Sequence, residues 1–168
     1  MQENKEVPFD EFCKVLEEFT VVFNKLNSFL GMAFQDVHKK VKEIRSNREK
    51  YPGHPGFFSF IDMEIKNNIH IINGKDNKKK KLPEDLANYS STARNLLRMM
   101  WLLTFIRVTF ERCRDFPTEK LSATFGTAYD SAFGNNHSWV VRNSAKVAMY
   151  ATQDKKQFIE VILHGTAD

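Results

Sequence analysis

The sequence predicts an all-α protein of about seven helices in one domain. Apolar residues recur at intervals of three and four along most of the chain, as in helices that bury one face. Proline and glycine clusters divide these periodic segments into pieces of ordinary helix length. The 168 residues are 42% hydrophobic, which is enough for one domain with a sizeable core.

The first part of the chain predicts three helices, over about residues 11–26, 29–50 and 57–68. Asp10 is expected to cap the first of them. The run Pro52-Gly-His-Pro-Gly56 ends the second, because proline interrupts helical hydrogen bonding.

A basic loop is expected over about residues 69–91. It contains Asn73-Gly74, the lysine run Lys78–Lys81 and Pro83. Ile69–Ile72 has the composition of a strand, but no other segment is an obvious partner for it.

The second part of the chain predicts four helices. Ser91 or Thr92 is expected to cap a long helix that ends near Asp115. Thr118 is expected to cap the next, which we expect to break around Gly126 and to close at residues 134–136. The last two are expected over residues 137–151 and 154–163.

Charge and cysteine content disfavour several classes of protein. The net charge is +4, but without Lys78–Lys81 the chain has 21 basic and 21 acidic residues, so nucleic-acid binding is not expected. Cys13 and Cys113 have no metal-ligand spacing, which predicts no metal site and favours a reduced, cytoplasmic protein. The apolar run Met99–Ile106 is shorter than the roughly 20 residues that span a bilayer, so any membrane contact must be peripheral. No nucleophile motif, phosphate loop or cofactor motif is present, so no enzyme is predicted.

Arg94 and Arg98 are the most informative residues of the chain. Residues four apart lie on one helix face, where two like charges repel each other unless an anion lies between them. Trp101 and Phe105 continue the same stripe. The pattern indicates a site for an amphiphile with an anionic head group.

Four further polar or aromatic residues have two interpretations each. Asp36 and Lys40 form either a solvated ion pair or a polar clamp that accepts at one end and donates at the other. His137 is expected to be neutral at a helix start, as a packed or capping residue or as a ligand-binding one. Trp139 fits the core of the protein, and it also fits an anchor at a membrane interface.

Three segments resemble the glycolipid transfer protein superfamily, and within it the ceramide-1-phosphate transfer branch. They are Phe23–Val41, Thr92–Arg98 and Ala132–Tyr150, with a fainter similarity at Phe60–Ile65. The resemblance implies a two-layer helical sandwich of seven to eight helices with an apolar lipid pocket. It also implies a cytoplasmic carrier of sphingolipids that contacts membranes only transiently. Such a carrier has no enzymatic activity and needs no cofactor.

The resemblance assigns roles to the polar residues. Asp36 and His137 match the residues that bind the ceramide amide, and Lys40, Arg94 and Arg98 match the cationic triad of the phosphate-binding branch. Glycolipid binders instead have a tryptophan at the position of Arg98. The three cations and Asp36 give a charge of +2, which a phosphate monoester of about −2 neutralises.

Further expectations complete this hypothesis. The predicted partners are a sphingolipid ligand and membranes, for a monomer. We expect an apolar lining from Phe34, Leu97, Trp101, Phe105, Phe133 and Ala145, and membrane contact through Trp139, Lys78, Lys79, Lys80 and Lys81. Three alternatives stay open: a neutral glycosphingolipid carrier with Trp101 as the sugar platform, a lipid sensor or adaptor without transfer activity, and a helical interaction or nucleic-acid module.

Overall fold

Seven α-helices make up the part of the chain that the computed structural model describes. This part comprises residues 6–24, 28–70, 89–150, 152 and 154–164, without the side chains of residues 22–35. The helices are α1 (Phe9–Asn24), α2 (Ser28–Lys50), α3 (Phe57–Lys66), α4 (Thr92–Asp115), α5 (Leu121–Phe133), α6 (Trp139–Tyr150) and α7 (Lys155–His164). Within the described residues β structure is limited to an isolated bridge between Pro8 and Gly56. The prediction of an all-α protein with about seven helices is confirmed.

The helices contribute to two compact units. The first comprises Met1–Glu18 and Asp36–Leu97, and the second comprises Phe19–Gln35 and Arg98–Asp168. Three helices, α1, α2 and α4, therefore contribute residues to both units. Within the described ranges, no helix is long and apolar enough to cross a membrane.

An aromatic cluster holds α1 and α3 together in the first unit. The buried ring of Phe9 lies 4.2 Å from that of Phe57 and 5.4 Å from that of Phe60, between ring centroids. Each fully buried phenylalanine contributes about 1.5–3 kcal/mol of hydrophobic stabilisation. The carboxylate of Glu6 accepts hydrogen bonds from the backbone N–H groups of Phe58 and Ser59, which fixes the start of α3.

Phe125 is fully buried in the second unit. Its ring centroid lies 5.7 Å from that of Phe105 on α4 and 5.4 Å from that of Phe158 on α7. The buried ammonium of Lys155 donates to the backbone oxygen of Phe116 over 2.9 Å, which joins the start of α7 to the end of α4.

Several predicted helix ends are wrong. Thr118 does not cap α5, since it lies in an exposed turn and the N-cap position belongs to Lys120. The helix also continues through Gly126 without a break. A glycine inside a helix costs about 1 kcal/mol relative to alanine, which the burial of Phe125 and Tyr129 on the same helix outweighs.

The starts of α1 and α6 also differ from expectation. Helix α1 begins at Phe9, so Asp10 lies inside its first turn and pairs with Arg45 and Arg48 instead of capping it. Helix α6 begins at Trp139, so His137 precedes it. Ile69 and His70 form no strand, and the remainder of the strand-like stretch and the lysine run lie outside the described residues.

Candidate functional site

Asp36 and Lys40 form an ion pair on α2. The Lys40 Nζ lies 3.1 Å from the Asp36 Oδ1, and the side chains are 8% and 60% exposed, respectively. The ammonium is therefore buried while its carboxylate partner faces solvent. A buried ammonium is costly unless its donors are used, so a second acceptor beside Lys40 would be favourable.

Helix α4 carries five arginines with two different environments. The three in its second half pair with carboxylates: Arg107 with Glu111 at 2.7 Å, Arg112 with Glu119, and Arg114 with Asp115 at 2.7 Å. Arg94 and Arg98 lie one turn apart in its first half. Among the described residues, no carboxylate lies within salt-bridge distance of either guanidinium.

The start of α4, which presents Arg94, is held by the fully buried carboxylate of Glu64 on α3. Four donors converge on it. They are the Tyr89 hydroxyl at 2.5 Å, the Ser91 hydroxyl at 2.8 Å, and the backbone N–H groups of Thr92 at 2.6 Å and Ala93 at 2.9 Å. A carboxylate at this position also interacts favourably with the helix dipole. Asn47 on α2 adds hydrogen bonds to the Ser90 oxygen and the Thr92 hydroxyl.

His137 packs against α5 through the turn that joins α5 to α6. Its Nδ1 lies 2.6 Å from the Tyr129 hydroxyl, and its ring stacks on Phe133 at 5.2 Å with planes 14° apart. Burial lowers the pKa of His137, which favours the neutral imidazole expected from the sequence. The turn depends on Gly134, where an added Cβ would lie 2.5 Å from the Asp130 oxygen.

Five of the six expected pocket-lining residues lie in the second unit, and Leu97 lies in the first. Phe133 lies 6.5 Å from Trp101 and 6.2 Å from Phe105, between ring centroids, so these three form one aromatic cluster. Ala145 is buried, whereas Leu97 is 51% exposed. The side chain of Phe34 is outside the described part.

The expected membrane contacts are described only in part. Trp139 is 70% exposed at the start of α6, so it is not a core residue. The neighbouring Val140 is also exposed, at 64%. Lys78, Lys79, Lys80 and Lys81 lie outside the described residues.

Two residues of these networks were not singled out from the sequence. Glu64 lies in the segment with the fainter family similarity. The feature of the sequence that could have identified it is a lone glutamate on an apolar helix face. Tyr129 precedes His137 by eight residues, and no local pattern relates them because the chain reverses between α5 and α6.

The helices and these side chains define a class of protein. It is an all-helical protein whose described part combines two arginines without acidic partners on α4 and a cluster of three aromatic rings. Among the described residues, no three His, Cys, Asp or Glu side chains gather as metal ligands would. The family model of the glycolipid transfer proteins matches residues 7–164, and the chain belongs to this family.

Known relatives and structures agree with this assignment. A ceramide-1-phosphate transfer protein of Xenopus tropicalis is 30% identical over 174 residues, covering 100% of this chain and 75% of the relative. The crystal structure of human ceramide-1-phosphate transfer protein with 12:0 ceramide-1-phosphate is similar with a TM-score of 0.81 and 20% identity, covering 98% and 76% of the two chains. A fungal glycolipid transfer protein is similar with a TM-score of 0.72 and 21% identity, covering 96% and 72%. Since carriers named for either head group share the fold, the fold alone does not select the ligand.

Proposed function

We propose that this chain carries a phosphosphingolipid of the ceramide-1-phosphate type between membranes. The family supports lipid transfer, and the frog and human relatives are named for ceramide-1-phosphate. The preference for a phosphate or a sugar head group depends on the residues of this chain.

The main support for a phosphate head group is a contrast between the arginines in the two halves of α4. Three of its arginines are neutralised by acids of the chain, whereas Arg94 and Arg98 have no such partner among the described residues. Like charges four residues apart destabilise a helix by about 0.2–0.5 kcal/mol. A phosphate between them would turn this repulsion into two charge-assisted interactions, which a neutral sugar would not provide.

Each polar residue has a proposed role. Lys40, Arg94 and Arg98 bind the phosphate oxygens. The ionised carboxylate of Asp36 accepts from the ceramide amide N–H, and His137 donates to the amide oxygen. The apolar chains are bound by Phe34, Leu97, Trp101, Phe105, Phe133 and Ala145.

The mechanism requires no covalent step and no cofactor. The protein docks through Trp139 and the lysine run, exchanges a lipid with the membrane and leaves with the chains shielded from water. We propose that it acts in the cytoplasm as a monomer and contacts membranes only transiently.

Competitive transfer between vesicles tests the proposal. Purified protein should move ceramide-1-phosphate faster than galactosylceramide from donor to acceptor vesicles. Faster transfer of the sugar lipid would overturn the head-group assignment and leave the family role. Binding with slow release would favour a sensor or adaptor, and salt-dependent RNA binding without lipid binding would favour the interaction module.

A variant of Arg98 tests the site itself. Arg98→Leu should abolish transfer of ceramide-1-phosphate, a loss of at least about tenfold, because it removes a charge-assisted contact and leaves the helix intact. Arg107→Leu is the matched control, since Arg107 lies on the same helix, is exposed and pairs with Glu111. Normal transfer by Arg98→Leu with unchanged helicity would refute the proposed site.

A further inference from the structure

The hydrogen bond between Tyr129 and His137 determines more than the position of the histidine ring. The Tyr129 hydroxyl lies 2.6 Å from Nδ1 and belongs to a side chain that is almost fully buried. Phe133, one turn after Tyr129 on α5, stacks nearly parallel to the imidazole. The backbone N–H of His137 also donates to the Phe133 oxygen over 3.1 Å. The imidazole is thus held by stacking on one face and by a hydrogen bond at one nitrogen. A further hydrogen bond holds the backbone of His137.

The protonation states of the two side chains follow from burial. Burial raises the pKa of Tyr129, so its phenol keeps its proton near neutral pH and is available as a donor. Burial lowers the pKa of His137, so the imidazole is neutral and has one N–H and one lone pair. When the phenol donates to Nδ1, that nitrogen is the acceptor and the proton is on Nε2.

We propose that Tyr129 is a positioning residue that fixes His137 in the Nε2–H tautomer, so that this N–H donates to the carbonyl oxygen of the ligand's amide. This inference rests on the proposed function, because it assigns the atom through which His137 binds the ceramide. The same geometry gives Phe133 a supporting role, since stacking restricts rotation of the ring that would exchange the two nitrogens.

The tautomer matters because the two possibilities present opposite groups to the ligand. In the Nε2–H form the second ring nitrogen, which Tyr129 does not contact, donates to an amide oxygen. In the Nδ1–H form it would present a lone pair to that oxygen, and two acceptors would face each other without a proton. An unsatisfied acceptor in a partly buried site costs binding free energy, so a hydroxyl that selects the tautomer should strengthen lipid binding.

Tyr129→Phe is the informative variant, because it removes one hydroxyl and keeps the aromatic ring against Phe133, 5.4 Å away between centroids. We expect transfer of ceramide-1-phosphate to fall about two- to tenfold, the effect of one hydrogen bond. Tyr150→Phe is the matched control, since Tyr150 is 82% exposed and its variant should transfer normally. Nitrogen-15 NMR of the His137 ring supplies the readout that a purely structural role would leave unchanged. The wild type should show Nε2–H as the single tautomer, and Tyr129→Phe should show a mixture.

The outcomes test the positioning role of Tyr129 separately from the proposed function. An Nδ1–H tautomer in the wild type, or an unchanged tautomer and transfer rate in Tyr129→Phe, would overturn the positioning role while ceramide-1-phosphate transfer by the wild type still supported the proposed function. Absence of transfer by the wild type would reject the proposed function, and the positioning role with it. A changed tautomer with reduced transfer and unchanged helicity would support both.

Discussion

A single buried carboxylate, that of Glu64, holds the start of α4. It accepts from two hydroxyl groups and two backbone N–H groups and is fully buried. Burial raises the pKa of Tyr89, which therefore acts as a donor to this carboxylate and not as a second negative charge. Removing the acceptor would leave several buried donors without partners at once.

Glu64→Ala should therefore lower the free energy of unfolding by about 3 kcal/mol or more, the cost of breaking a buried charged network. Urea denaturation monitored by circular dichroism measures this. The matched control is Asp62→Ala on the same helix, where the exposed side chain should change stability by no more than about 0.5 kcal/mol. A loss below about 1 kcal/mol for Glu64→Ala would contradict the role given to this residue.

Among the helices, the junction between α4 and α5 shows how charged residues replace a conventional cap. Arg112 on α4 donates to the Glu119 carboxylate through Nε at 3.0 Å and also through its NH2 group. The Thr124 hydroxyl on α5 donates to the same carboxylate at 2.8 Å. The guanidinium of Arg112 also lies 4.5 Å from the centroid of the Phe116 ring. The turn is thus fixed by Glu119, although no side chain caps α5 at Lys120.

This junction predicts a pH dependence. The hydrogen bonds from Arg112, followed by that from Thr124, hold the pKa of Glu119 below its usual value of 4.5. A carboxyl whose folded pKa is depressed contributes stability above its unfolded pKa and loses it as the pH falls through the folded value. Glu119→Gln should thus be less stable than the wild type near neutral pH, and the difference should shrink in acid.

Urea titrations of both proteins across this pH range would measure the difference. Glu111→Gln is the control for removal of a carboxylate that pairs with an exposed arginine on α4. A stability difference between Glu119→Gln and the wild type that stayed constant from neutral to acidic pH would contradict the linkage.

The helix ranges were predictable to different degrees. The boundaries of α2 and α4 agree closely with the predictions, because Pro52 and Pro117 interrupt strong apolar periodicity just after each helix. The start of α5 was wrong because the ion pair of Glu119, a tertiary contact, replaced the local signal of Thr118. Residue types and spacing identified the arginine pair, whereas the Glu64 network depends on chain reversals that no local pattern encodes.

At the scale of the whole molecule, the family assignment and the all-α class are confirmed, and the polar site stays a proposal about particular residues. The two cationic features of the chain have separate proposed tasks: the triad selects the ligand, and the lysine run attracts the protein to anionic membranes.

Deleting Lys78–Lys81 should weaken binding to vesicles that contain an anionic lipid, since each lysine near such a surface contributes about 1 kcal/mol. Binding to vesicles of neutral net charge should be unchanged, which makes them the control. Sedimentation with vesicles of the two compositions measures both. Equal binding of the deletion variant and the wild type to anionic vesicles would reject the role of the lysine run.

The Glu64 anchor has a consequence for the segment from residue 71 to 88. The chain leaves α3 with the N–H groups of Ile69 and His70 bonded to the Glu64 backbone oxygen, and Tyr89 returns to the carboxylate of the same residue. Both ends of the segment are therefore fastened at one point, and the closure entropy between them grows only slowly with length. Related chains could therefore differ in length between residues 70 and 89 at a small cost in closure entropy, while α4 kept its register.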